Sequence, residues 1–165
     1  MKRRNRRHRV LGAILLVGIL SPAWAGTPLT VKVTILAPLP CEINGGKPIE
    51  VDFGDEVLTT RINGSNYKTL VDYSISCKNP GKNAMMMQIA GTPTTFDGSA
   101  LKTNFGGLGI VFFQDGVKVK LNSWQNFTYS SGNPPKLEAA PVKLGAATLP
   151  EGAFTASATL RVDYQ

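Results

Sequence analysis

Apolar and polar residues alternate with period two along much of this chain, and the alternation is longest at its C-terminal end. From Phe154 to Tyr164 every even position is apolar: Phe154, Ala156, Ala158, Leu160, Val162 and Tyr164. The odd positions between them, Thr155, Ser157, Thr159, Arg161 and Asp163, are polar or charged. Successive side chains of a strand point to opposite faces, so this spacing predicts one long strand with a continuous apolar face. The sequence ends one residue later, at Gln165. An unpaired strand edge invites another chain to pair with it, and this terminal strand reads as one built to be paired.

Shorter runs of the same kind precede it. Leu29, Val31, Val33 and Ile35 alternate with Thr30, Lys32 and Thr34 within residues 29–36, and Pro38 and Pro40 then stop ladder pairing on both sides of Leu39. Ile49, Val51 and Phe53 share one face of a predicted strand, and Val71, Tyr73, Ile75 and Cys77 share one face of the next. Residues 84–90 read as a mixed strand and 108–113 as a continuously apolar, buried one. Asp115-Gly116 marks a hairpin turn between 110–114 and 117–121. Residues 141–144 read as a short strand. Asn44-Gly45-Gly46 and Pro150-Glu151-Gly152 read as turns, and 130–136 as a loop. Few stretches show a helical period. About seven strands punctuated by Gly, Pro, Asn and Asp predict an all-β sandwich or barrel, with the 29–36 strand standing apart from it.

The N-terminus changes the charge picture. Lys2, Arg3, Arg4, Arg6, Arg7 and Arg9 precede an apolar run at 10–20, and Ala23-Trp24-Ala25 follows as a small-residue cleavage site. That is the layout of a secretory signal, and the run is too short to span a bilayer comfortably. Cleavage after Ala25 is expected, leaving 26–165. Of the 18 Lys+Arg in the whole chain, those six leave with the signal, so 12 remain against all 11 Asp+Glu. The net charge of +7 thus falls to +1, and no basic cluster remains to hold nucleic acid. Two cysteines, Cys41 and Cys77, remain. Export to an oxidising compartment makes one disulfide between them the expected state, worth about 4 kcal/mol through loop entropy.

The chemistry open to the exported chain is narrow. The single histidine, His8, leaves with the signal, which excludes nucleophile–histidine–acid catalysis. Two cysteines without histidine cannot form a tetrahedral metal site, and no cofactor is expected. A serine–lysine pair has no S-x-x-K motif to support it. Asp52, Asp55 and Glu56 beside Gly54 read as solvated loop acids rather than a glycosidase pair. Met85 and Met87 read as core, with Met86 on the opposite face. Gly106-Gly107-Leu108-Gly109 precedes a strand and reads as a bend, not a phosphate loop. Asn63-Gly64-Ser65 and Asn126-Phe127-Thr128 fit the N-glycosylation pattern, which matters only where exports are glycosylated. Trp124, Phe127 and Tyr129 read as strand packing in preference to a sugar platform.

Taken together, these residues resemble the chaperone–usher pilus subunits of Gram-negative bacteria. The resemblance rests on the alternating extension ending at Pro40-Cys41, on Cys41-Glu42-Ile43-Asn44-Gly45-Gly46 leading to Ile49-Glu50-Val51-Asp52-Phe53-Gly54, and on Cys77 closing an alternating strand. Its most specific part is Gly152, fourteenth from the end, followed by Ala156-Ser157-Ala158-Thr159-Leu160 and the penultimate Tyr164. The 41–54 stretch looks most like minor tip-fibrillum adaptor subunits of P-pilus-type systems.

The resemblance implies an incomplete immunoglobulin-like β-sandwich at 41–165, lacking its seventh strand, with a donor-strand extension at 26–40. In that cycle a periplasmic chaperone fills the groove with its own strand and binds the Gln165 carboxylate. At the outer-membrane usher, the extension of a neighbouring pilus subunit replaces it. Gly152, Phe154, Ala156, Ala158, Leu160, Val162, Tyr164 and Gln165 would form the groove edge, while Leu29, Val31, Val33 and Ile35 would be donated to a neighbour. Burying those four side chains is worth at most roughly 6–12 kcal/mol before ordering costs. Many pilins carry glycine seven residues before the cysteine, where this chain has Thr34, which implies a shifted register or a larger pocket in the partner. The function implied is a non-enzymatic subunit of a surface fimbria, minor or adaptor in type and supporting adhesion, with a tip adhesin among its possible neighbours. The rivals are a secreted carbohydrate-binding sandwich and a pilus-terminating subunit.

Overall fold

The computed structural model describes residues 41–165, and the expected signal at 1–25 and extension at 26–40 lie outside the described residues. Its strands are β1 Cys41–Ile43, β2 Thr69–Leu70, β3 Ile75–Cys77, β4 Ala84–Ala90, β5 Leu101–Lys102, β6 Leu108–Gln114, β7 Val117–Lys118, β8 Gln125–Thr128, β9 Leu137–Lys143 and β10 Thr159–Tyr164. All pair antiparallel. One sheet runs β10-β4-β8, and the other runs β2-β9-β6-β5 with β7 beside β6. β1 and β3 form a separate pair that sets Cys41 opposite Cys77, and the two are disulfide-bonded as expected.

The sheets face each other as a sandwich. Met85, Met87 and Ile89 of β4 and Phe127 of β8 meet Leu101, Ile110, Leu137 and Ala139 of the opposite sheet in one core cluster. β4 alternates because its other face meets solvent. β6 is buried on both faces over Leu108–Val111, as its unbroken apolar run requires. Its outer residues Val111 and Phe113 pack with Ala100 and Ala140, and Lys68 Nζ lies 3.9 Å over the Phe113 ring. The β6–β7 turn has Asp115 and Gly116 at φ 50° and 84°, the left-handed pair that a two-residue hairpin of this twist needs.

Several boundaries differ from expectation. Residues 49–53 are extended and alternate in burial, yet they form no ladder among the described residues. Alternation records which side faces the core, not whether a neighbouring strand is present. The run through Val71 serves two partners, with β2 on β9 and β3 on β1. β9 begins at Leu137, earlier than Pro141. Proline is tolerated inside β9 because the Pro141 carbonyl accepts from Gly64 N–H at 2.9 Å. In a strand, the nitrogen and carbonyl of one residue point to the same side. The missing donor therefore lies beyond the short β2, not against β6.

The predicted terminal strand is really two pieces. β10 begins at Thr159, while Ala156 bridges Thr103 and Thr155 exchanges bonds with Asn104. The chain crosses from one sheet to the other between them.

Candidate functional site

The departures from regular pairing are gathered in one place. After β1, Asn44, Gly45 and Gly46 adopt φ of 52°, 59° and 74°. Asn44 Nδ2 donates to the carbonyls of Lys47 (3.3 Å) and Pro48 (2.9 Å), turning the chain into the extended run that carries Ile49, Val51 and Phe53. Gly54 N–H donates to Asp52 Oδ1 at 2.8 Å where that run ends. This segment is one wall of a groove. The other wall is the lead-in to β10, pinned to the opposite sheet by Thr155 N–H on Asn104 Oδ1 at 2.7 Å. The walls approach at Phe53 and Phe154, whose ring centroids are 5.9 Å apart.

The floor is the sandwich interior itself. Ile89, Leu101, Ile110, Phe112, Leu137 and Ala139, drawn from both sheets, line the groove between the walls. Its volume is about 1240 Å³, above the roughly 300–1,000 Å³ of small-molecule pockets. An apolar trough walled by extended backbone on both sides suits a peptide strand, because such a strand can hydrogen-bond to backbone and bury alternate side chains at once.

β10 shows what an unfinished sheet edge looks like. It pairs with β4 along one side, and no strand pairs its other side among the described residues. Leu160, Val162 and Tyr164 sit directly opposite Ile89, Met87 and Met85. The β4 partners are buried, whereas the three on β10 are only half-buried and Ala156 and Ala158 are exposed. Gly152, Phe154, Ala156, Ala158 and Leu160 line the groove. Val162 and Tyr164 lie further along β10, and the Tyr164 hydroxyl accepts from Gly81 N–H at 3.1 Å. Gln165 fastens the chain end, its Nε2 donating to Met85 O at 2.7 Å and Phe127 O at 3.3 Å. Leu29, Val31, Val33 and Ile35 lie outside the described residues.

Other sequence candidates scatter. Phe127 and Tyr129 are buried while Trp124 is 39% exposed, so the three do not form a platform. The Tyr129 hydroxyl instead accepts from Cys77 N–H at 3.1 Å. Burial, with some help from Asp115, raises the Tyr73 hydroxyl above the usual phenol range, and it donates to Pro135 O at 2.7 Å. Asp52 and Asp55, read as loop acids, line the groove at exposed positions, and Glu50 and Glu151 join them there. The floor had no linear signal, because its residues come from strands far apart in the sequence.

Residues 29–165 match the family of fimbrial proteins. The fimbrial-like protein YfcQ of Escherichia coli (strain K12) is 39% identical over 149 residues, covering 86% of this chain and 89% of that protein. YfcR of the same strain is 37% identical over 166 residues, covering 94% of each. Among solved structures, the P pilus adaptor subunit PapF superposes with TM-score 0.57 at 23% identity, covering 78% of this chain and 98% of PapF. The P pilus rod subunit PapA gives 0.61 at 24%, covering 76% and 99%. These two likenesses identify the open sandwich as a pilin fold.

Proposed function

This chain belongs to the fimbrial protein family, and from that premise we propose that it is built into a fibre by donor-strand exchange. It is a structural, non-enzymatic subunit of a surface fimbria, with other pilus subunits as its neighbours. The observation that carries the donor-strand reading is the apolar groove between residues 49–53 and β10, floored by both sheets. A periplasmic chaperone fills it first. It passes the subunit to an outer-membrane usher, where a neighbour's extension takes its place. Cleavage after Ala25 leaves residues 26–40 as this subunit's own donor, with Leu29, Val31, Val33 and Ile35 as its plugs. Its role is that of a minor or adaptor subunit supporting adhesion, among copies of itself or beside a tip adhesin.

The test compares the chain lacking residues 26–37 with the same chain carrying a donor strand fused after Gln165 through a flexible linker. A large rise in Tm and loss of aggregation in the fused form are expected. Equal Tm and a monomeric, stable unfused form would show that no strand is missing and would overturn the reading.

A further inference from the structure

The groove carries an imbalance of charge at its rim. Its lining includes four acidic side chains, Glu50, Asp52, Asp55 and Glu151, against one basic one, Lys47. All five are exposed. Glu50 and Asp52 alternate with the inward-facing Ile49, Val51 and Phe53, so they stand on the outer side of their wall. The outward side chains of a strand laid in the groove would stand beside them, at the separation where cross-strand charges are felt. β10 contributes Arg161 and Asp163 to the same outer side, one of each sign, which leaves the balance to the other wall. Within residues 26–40 the one charged residue is Lys32, midway along the polar side of 29–35 between Thr30 and Thr34.

Building on the donor-strand reading above, we propose that the groove's occupant is the extension of a second copy of this chain, selected by Lys32 against the acidic rim. An apolar groove alone accepts many alternating strands. The rim discriminates among them, because a donor with carboxylates at its outward positions meets like charge at Glu50 and Asp52 and is disfavoured. Opposite charge also speeds encounter, so selection appears in the rate of assembly as well as in its extent.

A charge-swap series tests this in the full mature chain, with self-assembly followed by light scattering at low salt. Lys32→Glu alone and the Glu50→Lys/Asp52→Lys pair alone should each slow assembly by roughly tenfold, the size expected for two exposed pairs turned repulsive. The combination of all three should recover to within about threefold of the parent, and raising the salt to about 0.5 M should narrow every difference. Asp52 Oδ1 also holds Gly54 N–H, so Glu50→Gln/Asp52→Asn, which removes charge but keeps that acceptor, should fall between the extremes. Equal rates across the series would overturn the charge selection and leave the donor-strand reading intact. A parent that never self-assembles, but whose Tm rises when another subunit's donor strand is fused after Gln165, would overturn the second copy as occupant. If no fused donor raises the Tm, the donor-strand reading itself fails.

Discussion

At the scale of single residues, Gly109 in β6 is closely hemmed in by backbone and short side chains. A Cβ placed there would lie 2.7 Å from Thr94 Cγ2 and 3.1 Å from both Ala100 Cβ and the Leu101 carbonyl oxygen. The 94–101 segment therefore lies directly on the strand, and no side chain fits between them. Gly109→Ala should destabilise the fold by about 1–3 kcal/mol, the cost of overpacking a close contact, read as a lower urea midpoint at unchanged slope. The same segment carries an ion pair, Lys118 Nζ to Asp97 Oδ2 at 2.9 Å. Its hydrogen bond, with a second from Ser99 N–H, holds the Asp97 carboxyl below its usual range. A carboxyl whose folded pKa is depressed stabilises the fold above its unfolded pKa, and that contribution fades as pH falls through the folded value. Asp97→Asn should accordingly cost about 0.2–1 kcal/mol at pH 7, since the pair is exposed and screened. The difference from the parent should vanish below the carboxylate range, measured by urea unfolding across pH.

Elements test the alternation itself. β4 places Met85 and Met87 in the core and Met86 on the outer face, three identical side chains in opposite environments. Met87→Ala should cost about 2–5 kcal/mol by leaving a cavity, while Met86→Ala should cost no more than about 1 kcal/mol. Similar costs at both positions would mean that the burial assigned to this sheet is wrong. β4 and the β6–β7 hairpin were legible in the sequence because their signals are local: a run of apolar residues, and Asp115-Gly116 at the turn. β8 was legible only through the aromatic residues in and beside it: Trp124, Phe127 and Tyr129 pointed to strand packing, but only Phe127 of its four residues is buried, too few to set a period or fix the strand's ends. The start of β9 hid behind Glu138 and two alanines, residues with little strand preference that tertiary packing overrides. The groove was half legible. The alternation at 49–53 and 154–164 marked both walls, but the missing ladder between them is a property of the space between segments and leaves no trace in either one.

For the whole molecule, the disulfide and the groove act on the same stretch of chain. Cys41–Cys77 closes a loop with a sequence separation of 36 that contains residues 49–53. That wall has no ladder of its own among the described residues, so its position depends on the β1–β3 anchor at one end and on the burial of Ile49, Val51 and Phe53. Removing the disulfide by Cys41→Ala/Cys77→Ala should cost about 4 kcal/mol through loop entropy alone. Filling the groove with a donor strand would add backbone bonds along the wall and restrain it independently. Two restraints on one segment are coupled, so their contributions are not additive. The stability lost by the double-alanine variant should therefore differ by at least about 1 kcal/mol between the form with a donor strand fused after Gln165 and the form whose groove has none, a coupling of the size seen between interacting sites. Urea unfolding of the four forms, with and without the disulfide and with and without the donor, measures that difference directly. Equal losses in both backgrounds would mean that the wall is held by its side chains alone, and that filling the groove leaves the rest of the sandwich as it was.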